Sequence, residues 1–143
     1  MPNVLILCTG NSARSIVAEV LFNELGRDRY RAFSAGSKPA GKVNPGALAV
    51  LQAHGHEVEQ LQSKSWDAFG GVAAPSLDTV ITVCDNAAAE SCPIWNGEPE
   101  VLHWGMPDPA AVADEAARVV AFEVTYAALR ERISTYIGEH SDA

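Results

Sequence analysis

Of the 143 residues, the three cysteines at positions 8, 84 and 92 are the most able to do covalent chemistry. Cys8 opens the run Cys8-Thr9-Gly10-Asn11-Ser12-Ala13-Arg14-Ser15. A Cys followed by five residues and an Arg is a weak pattern alone, but this pair sits between an apolar run and a helical stretch. Backbone N–H groups of Thr9, Gly10, Asn11, Ser12 and Ala13 can turn inward as a nest that holds an anion. A helix N-terminus adds its positive dipole end. Gly10 is expected to relax the backbone there, and Arg14 can give two parallel hydrogen bonds to an oxyanion. The same donors favour a thiolate at Cys8, and Ser15 can donate a further bond to the sulfur. At its ordinary pKa of about 8.5, a thiol is only about 3% ionised at pH 7. Helix N-termini and nearby cations bring such thiols to roughly 3.5–7.5. The ordinary alternative is a Cys that ends a strand and an Arg paired with a surface carboxylate. This is not a nucleotide-binding loop, because no Gly-Lys-Ser/Thr follows.

Displacement at a tetrahedral oxyanion needs a proton for the leaving oxygen. Met106-Pro107-Asp108-Pro109 offers a carboxyl whose direction two prolines fix; read alone, it is also an ordinary turn ahead of a helix. Cys84 and Cys92 flank Asp85-Asn86-Ala87-Ala88-Ala89-Glu90-Ser91. Zinc sites show tighter spacing, and in a reducing compartment three cysteines do not form a structural disulfide set.

The elements that must position these groups alternate between short apolar runs and helical periodicity. Val4 to Leu7 reads as a buried parallel strand. Ile16, Val17, Val20, Leu21 and Leu25 follow at helical spacing, with Gly26 as the stop. Tyr30 to Ser34 reads as a second strand. Asn44-Pro45 starts a helix that runs to Gly55, and Ser63 to Phe69 is a short helix or turn. Leu77 to Val83 and Glu100 to His103 read as further strands. From about Val112 a long amphipathic helix carries Val119, Phe122, Tyr126, Leu129, Ile133 and Tyr136 on one stripe, so the two tyrosines are expected in the core. His54 and His56 read as surface residues at a helix end, Trp66 as packing, and His103 and Trp104 as structural or site-lining. The alternation implies one α/β domain over residues 1–143 with a mostly parallel sheet, whose ligands bind at the carboxyl ends of the strands.

Composition narrows the function. The net charge is −8 at pH 7 and no basic run is present, which argues against nucleic acid and acidic membranes as partners. An anion site must therefore be built locally. No signal peptide and no membrane span are read, so the protein is expected in the cytoplasm.

The run Cys8 to Ser15 with Asp108-Pro109 resembles the low-molecular-weight tyrosine phosphatases and their relatives, the thioredoxin-coupled arsenate reductases. Similarity to the reductases extends over nearly the whole chain, through Phe33-Ser34-Ala35-Gly36, Val83-Cys84, Cys92-Pro93 and His103-Trp104-Gly105. It implies a three-layer α/β fold with a four-stranded parallel sheet in order 2-1-3-4. It also implies arsenate as substrate, Cys8 as nucleophile and Asp108 as acid, with Cys84 and then Cys92 as relay thiols. Thioredoxin would be the electron donor, with no tightly bound cofactor; glutaredoxin remains the alternative. Closing a Cys84–Cys92 bridge would require the segment between them to rearrange. The interval between those cysteines is one residue longer than the family pattern. Some relatives bind potassium beside the loop; Asn11, Glu19 and Ser34 match the ligand positions, whereas the Asp ligand aligns with Trp66, and Asp67 is displaced by one. Two other readings stand beside reduction. A phosphatase of this family usually carries aromatic residues around Asp-Pro, where Ala110 stands here, and a reductase would retain weak phosphatase activity. A non-enzymatic phosphocarrier module needs neither Asp108 nor the cysteine pair.

Overall fold

The computed structural model describes residues 2–70, 74–83, 97 and 99–140. Cys84, Cys92 and segment 85–91, expected above to carry the relay, lie outside these described residues. Four strands form one parallel sheet: β1 (Asn3–Leu7), β2 (Arg31–Ala35), β3 (Thr79–Thr82) and β4 (Glu100–His103). Their order is β2-β1-β3-β4, as the resemblance implied. The apolar run Val4 to Leu7 is buried throughout, which suits the strand with neighbours on both sides. Register aligns Leu7 with Ala35 on one side and with Thr82 on the other, and Thr82 with His103. The carboxyl ends of all four strands therefore meet at one edge, where Cys8 follows β1. β4 lies at the sheet margin and exposes Glu100, Val101 and His103.

Three α-helices are described: α1 (Arg14–Leu25), α2 (Pro45–Ala53) and α3 (Glu115–His140). The Asn44 side chain accepts from the Gly46 N–H at 2.8 Å, with Pro45 in the first turn, the start expected from the sequence. α2 ends at Ala53, two residues short of the expected Gly55, which turns left-handed at φ 83°. α3 begins at Glu115 and not near Val112. A short 3₁₀ turn, Pro109–Ala111, intervenes, and the Asp114 carboxylate then accepts from the Ala117 N–H at 2.8 Å. That start is set by a carboxylate and not by apolar spacing, which is why periodicity places it too early. The α3 stripe buries Phe122, Tyr126, Leu129, Ile133, Tyr136 and Ile137. α2 approaches it so closely that a Cβ at Gly46 would lie 2.4 Å from the Phe122 ring. Trp104 is buried edge-on against Tyr136, with the Arg132 guanidinium 5.3 Å from its ring, so its role is packing.

His54 is exposed, as expected, and its ring stacks on Tyr126 at 3.9 Å. His56 is not a surface residue: its side chain is 10% exposed and lies 3.0 Å from the Glu24 carboxylate. Its other ring nitrogen is 2.6 Å from the Tyr126 hydroxyl. These partners come from α1 and α3, remote in sequence, so no local pattern could announce them.

Candidate active site

Cys8 follows β1 directly and is 5% exposed. Its N–H donates to the Ala35 carbonyl at 3.3 Å, extending the β1–β2 ladder to the sulfur-bearing residue. The loop is then held from outside. Lys38 N–H donates to the Thr9 carbonyl at 3.0 Å, and Asn44 N–H donates to the Ser12 carbonyl at 2.8 Å. The Gly10 carbonyl accepts from Ala40 N–H at 2.9 Å and from the Ser63 hydroxyl at 3.1 Å. In a trans peptide the N–H points opposite to its carbonyl. The N–H groups of Gly10 and Ala13 are therefore turned away from these flanking segments. The nest is not continuous, because Asn11 N–H bonds back to the Cys8 carbonyl at 3.3 Å.

The left-handed residue of the loop is Asn11, at φ 44°, and not Gly10. A Cβ at Gly10 would meet nothing nearer than the Ser12 hydroxyl at 3.6 Å, so the conformational role expected of Gly10 belongs to its neighbour. Asn tolerates this region better than most residues, and here both ends of its amide are used. Its Nδ2 donates to the Ser15 hydroxyl at 2.9 Å, and its Oδ1 accepts from Lys64 N–H at 2.9 Å. Asn11 and Ser15 are fully buried. Since the Ser15 oxygen accepts this bond, its own proton remains to donate. Behind the loop passes Gly36, whose added Cβ would lie 2.5 Å from the Cys8 carbonyl oxygen and 2.4 Å from that of Thr9. Only glycine lets the end of β2 run backbone to backbone against the loop.

α1 begins at Arg14 with no side-chain cap at Ala13 and no acidic residue in its first turn. Its first turn therefore presents N–H groups that no side chain caps, at the positive end of the dipole. One Arg14 terminal nitrogen donates to the Met106 carbonyl at 2.9 Å, and the other lies 3.8 Å from the Asp108 carboxylate. Met106 N–H in turn donates to the Val83 carbonyl at 3.3 Å. Arg14 therefore joins the Cys8 loop to the Pro107-Asp108 loop, and the candidate nucleophile and acid share one site. Its Nε is buried and has no acceptor among the described residues. Asp108 is 42% exposed, and its Oδ1 accepts from Ala110 N–H at 2.9 Å. The Met106 carbonyl and Lys64 belong to this arrangement and escaped sequence reasoning. Both arrive through long-range backbone pairing, in the case of Lys64 through the Gly36–Ser65 bridge.

The chain matches a known family profile, that of the low molecular weight phosphotyrosine protein phosphatase, over residues 3–141. The chain belongs to that phosphatase family. An arsenate reductase of Halalkalibacterium halodurans is 31% identical over 134 residues, covering 93% of each chain. One of Bacillus subtilis is 29% identical over 139 residues, covering 97% of this chain and 94% of the other. Among solved members of the phosphatase family's fold, the arsenate reductase of Archaeoglobus fulgidus superposes with a TM-score of 0.72 at 26% identity, covering 94% of this chain and 98% of the other. The low molecular weight protein tyrosine phosphatase of Streptococcus pyogenes superposes with a TM-score of 0.72 at 17% identity, covering 99% and 95%, and so shares the fold. Among the described residues no helix is long and apolar enough to cross a membrane.

The potassium position implied by the family resemblance is built differently here. The Ser34 hydroxyl donates to the Glu19 carboxylate. The Lys64 ammonium lies 3.9 Å from the same carboxylate, and one Asn11 Oδ1 lone pair is taken by Lys64 N–H. Asp67 is exposed, and its N–H caps onto the Ser65 hydroxyl. With the carboxylate already matched by a lysine, these residues do not fit a potassium ion. Burial pushes the Glu19 carboxyl above its ordinary 4.5, against the opposing pull of Ser34 and Lys64. A carboxyl raised on folding keeps its proton longer in the native than in the unfolded chain. Its contribution is therefore full below 4.5 and declines as pH rises from 4.5 through the folded value. Urea unfolding across that range should show a flatter stability–pH curve for Glu19→Gln than for wild type; parallel curves would refute the burial effect.

Proposed function

We propose that this chain reduces arsenate to arsenite in the cytoplasm, with thioredoxin as electron donor. The observation that carries the reading is the Arg14 bridge, which brings the anion loop of Cys8 and the carboxyl of Asp108 to one place. Arsenate would be bound by inward N–H groups of the 9–14 loop and by Arg14, while Ser15 donates toward the sulfur. The Cys8 thiolate attacks arsenic, and Asp108 protonates the departing oxygen, which leaves as water. Cys84 then attacks the Cys8 sulfur. The electron pair of the S–As bond stays on arsenic, which falls from the pentavalent to the trivalent state, and a Cys8–Cys84 disulfide forms. Cys92 attacks Cys84, frees Cys8 and leaves a Cys84–Cys92 disulfide, which the dithiol of thioredoxin reduces. The Cys84 step displaces arsenic from sulfur, and the Cys92 and thioredoxin steps that follow are thiolate attacks on a disulfide sulfur. The phosphatase family's membership supports weak hydrolysis of phosphate esters alongside, since phosphate and arsenate share shape and charge. Hydrolysis as the main activity is less favoured, because Ala110 follows Asp108-Pro109 where an aromatic residue would grip a phosphotyrosine ring. A phosphocarrier module would have no use for Asp108 beside Arg14.

The test follows NADPH consumption with arsenate, thioredoxin and thioredoxin reductase, with a parallel arm using glutaredoxin. Wild type is expected to turn over with thioredoxin, while Cys84→Ser and Cys92→Ser each lose sustained turnover. Rapid hydrolysis of aryl phosphates with no arsenate-dependent oxidation of NADPH would sink the reductase reading.

A further inference from the structure

We propose that Lys64 supplies this chain's built-in cation: its ammonium balances Glu19 behind the oxyanion loop and makes the loop indifferent to potassium, while its backbone N–H holds Asn11 in its left-handed turn. Lys64 is gripped at three points. Its N–H donates to Asn11 Oδ1 at 2.9 Å, its carbonyl accepts from Gly36 N–H at 2.9 Å, and its ammonium lies 3.9 Å from the Glu19 carboxylate. Gly36 is the residue that runs against the Cys8 and Thr9 carbonyls, so Lys64 touches both walls of the loop. Glu19 comes from α1 and Ser34 from β2, and the two are hydrogen bonded. The ammonium thus closes a chain from helix to strand to loop.

The side chains of the pair are 29% and 18% exposed, so solvent screens them only in part. Removing the ammonium would leave a mostly buried carboxylate without its counter-charge, which is costlier than never having had the pair. A second cation on the same carboxylate would be repelled by the ammonium already there. The strained residue depends on this arrangement, because one of the two bonds that fix the Asn11 amide comes from the Lys64 backbone. Lys64 is therefore a positioning residue: its backbone acts through Asn11, and its ammonium acts through Glu19 and the Ser34 that Glu19 holds.

The inference rests on reading the Cys8 loop as an oxyanion site, and its test separates the two. Inorganic phosphate binding by calorimetry, and thermal unfolding, are measured on the full chain in potassium chloride and in choline chloride at equal ionic strength. Wild type should show the same affinity and the same melting temperature in both salts. Lys64→Met keeps the stem and removes the charge; in choline it should bind phosphate about fivefold more weakly or worse and melt lower. Potassium should restore both properties, and Lys64→Arg should behave as wild type does. A wild type that gains affinity or stability from potassium overturns the proposal. So does a Lys64→Met variant equal to wild type in choline, or one whose losses are the same in both salts. If wild type binds no phosphate at all, the oxyanion reading fails, while the melting comparison still decides the role of Lys64.

Discussion

Replacing Cys8 by serine is expected to abolish arsenate-dependent turnover, by more than about 10⁴-fold. Two losses compound. A serine hydroxyl is not ionised near neutral pH, so the uncapped first turn of α1 and the Arg14 guanidinium have no thiolate to stabilise. Even an ester formed at that oxygen would lead nowhere, since no disulfide can form with Cys84 and arsenic would keep its oxidation state. The fold should survive, because the exchange is nearly isosteric and the loop is held by Lys38, Ala40, Asn44 and Ser63. Phosphate should still bind, as its donors are backbone groups and Arg14. The decisive measurement pairs NADPH-coupled turnover with phosphate calorimetry on one preparation. Turnover retained alongside normal binding would mean that another residue is the nucleophile.

Asp108→Asn is expected to slow the first chemical step by about 10²–10⁴-fold, the usual worth of a positioned general acid. The amide keeps the carboxyl's shape, and its oxygen can still accept from Ala110 N–H. The prolines on either side still hold the backbone, so what is lost is the proton. The deficit should appear in a single-turnover measurement of arsenate consumption, before any thiol exchange. Reduction of a preformed Cys84–Cys92 disulfide by thioredoxin should proceed at the wild-type rate. An unchanged single-turnover rate would remove Asp108 from the reaction; equal slowing of both steps would point to a general disturbance of the fold.

What the sequence disclosed, and what it did not, divides along the range of the interactions. β1 was legible because four consecutive apolar residues need cover on both faces. α2 was legible because Asn44 and Pro45 carry a start signal within two residues. β4 was read with its observed bounds, Glu100–His103. The Cys8 loop and Asp108 stand out as candidates because a run of eight residues and a Pro-flanked acid suggest their chemistry locally. By contrast, the Asn11 turn depends on Lys64, the Arg14 anchor on Met106, and His56 on Glu24 and Tyr126. Each of these partners is brought by the topology across many residues, and neither periodicity nor spacing encodes it. The shift of left-handed geometry from Gly10 to Asn11 has the same origin: glycine announces freedom, but only the Ser15 and Lys64 contacts decide which residue must turn.

The uncapped start of α1, with Arg14 in its first turn, also bears on how a cycle would end. In a chain of net charge −8, this is a small positive basin, and its hold on a guest scales with the guest's negative charge. Arsenate enters as an anion, whereas arsenite at neutral pH is an uncharged acid. The electron transfer that makes the product therefore also cancels the attraction that kept the substrate. On the proposed reaction, product escape needs no moving lid, and accumulating arsenite would be a poor competitor for the loop it has just left.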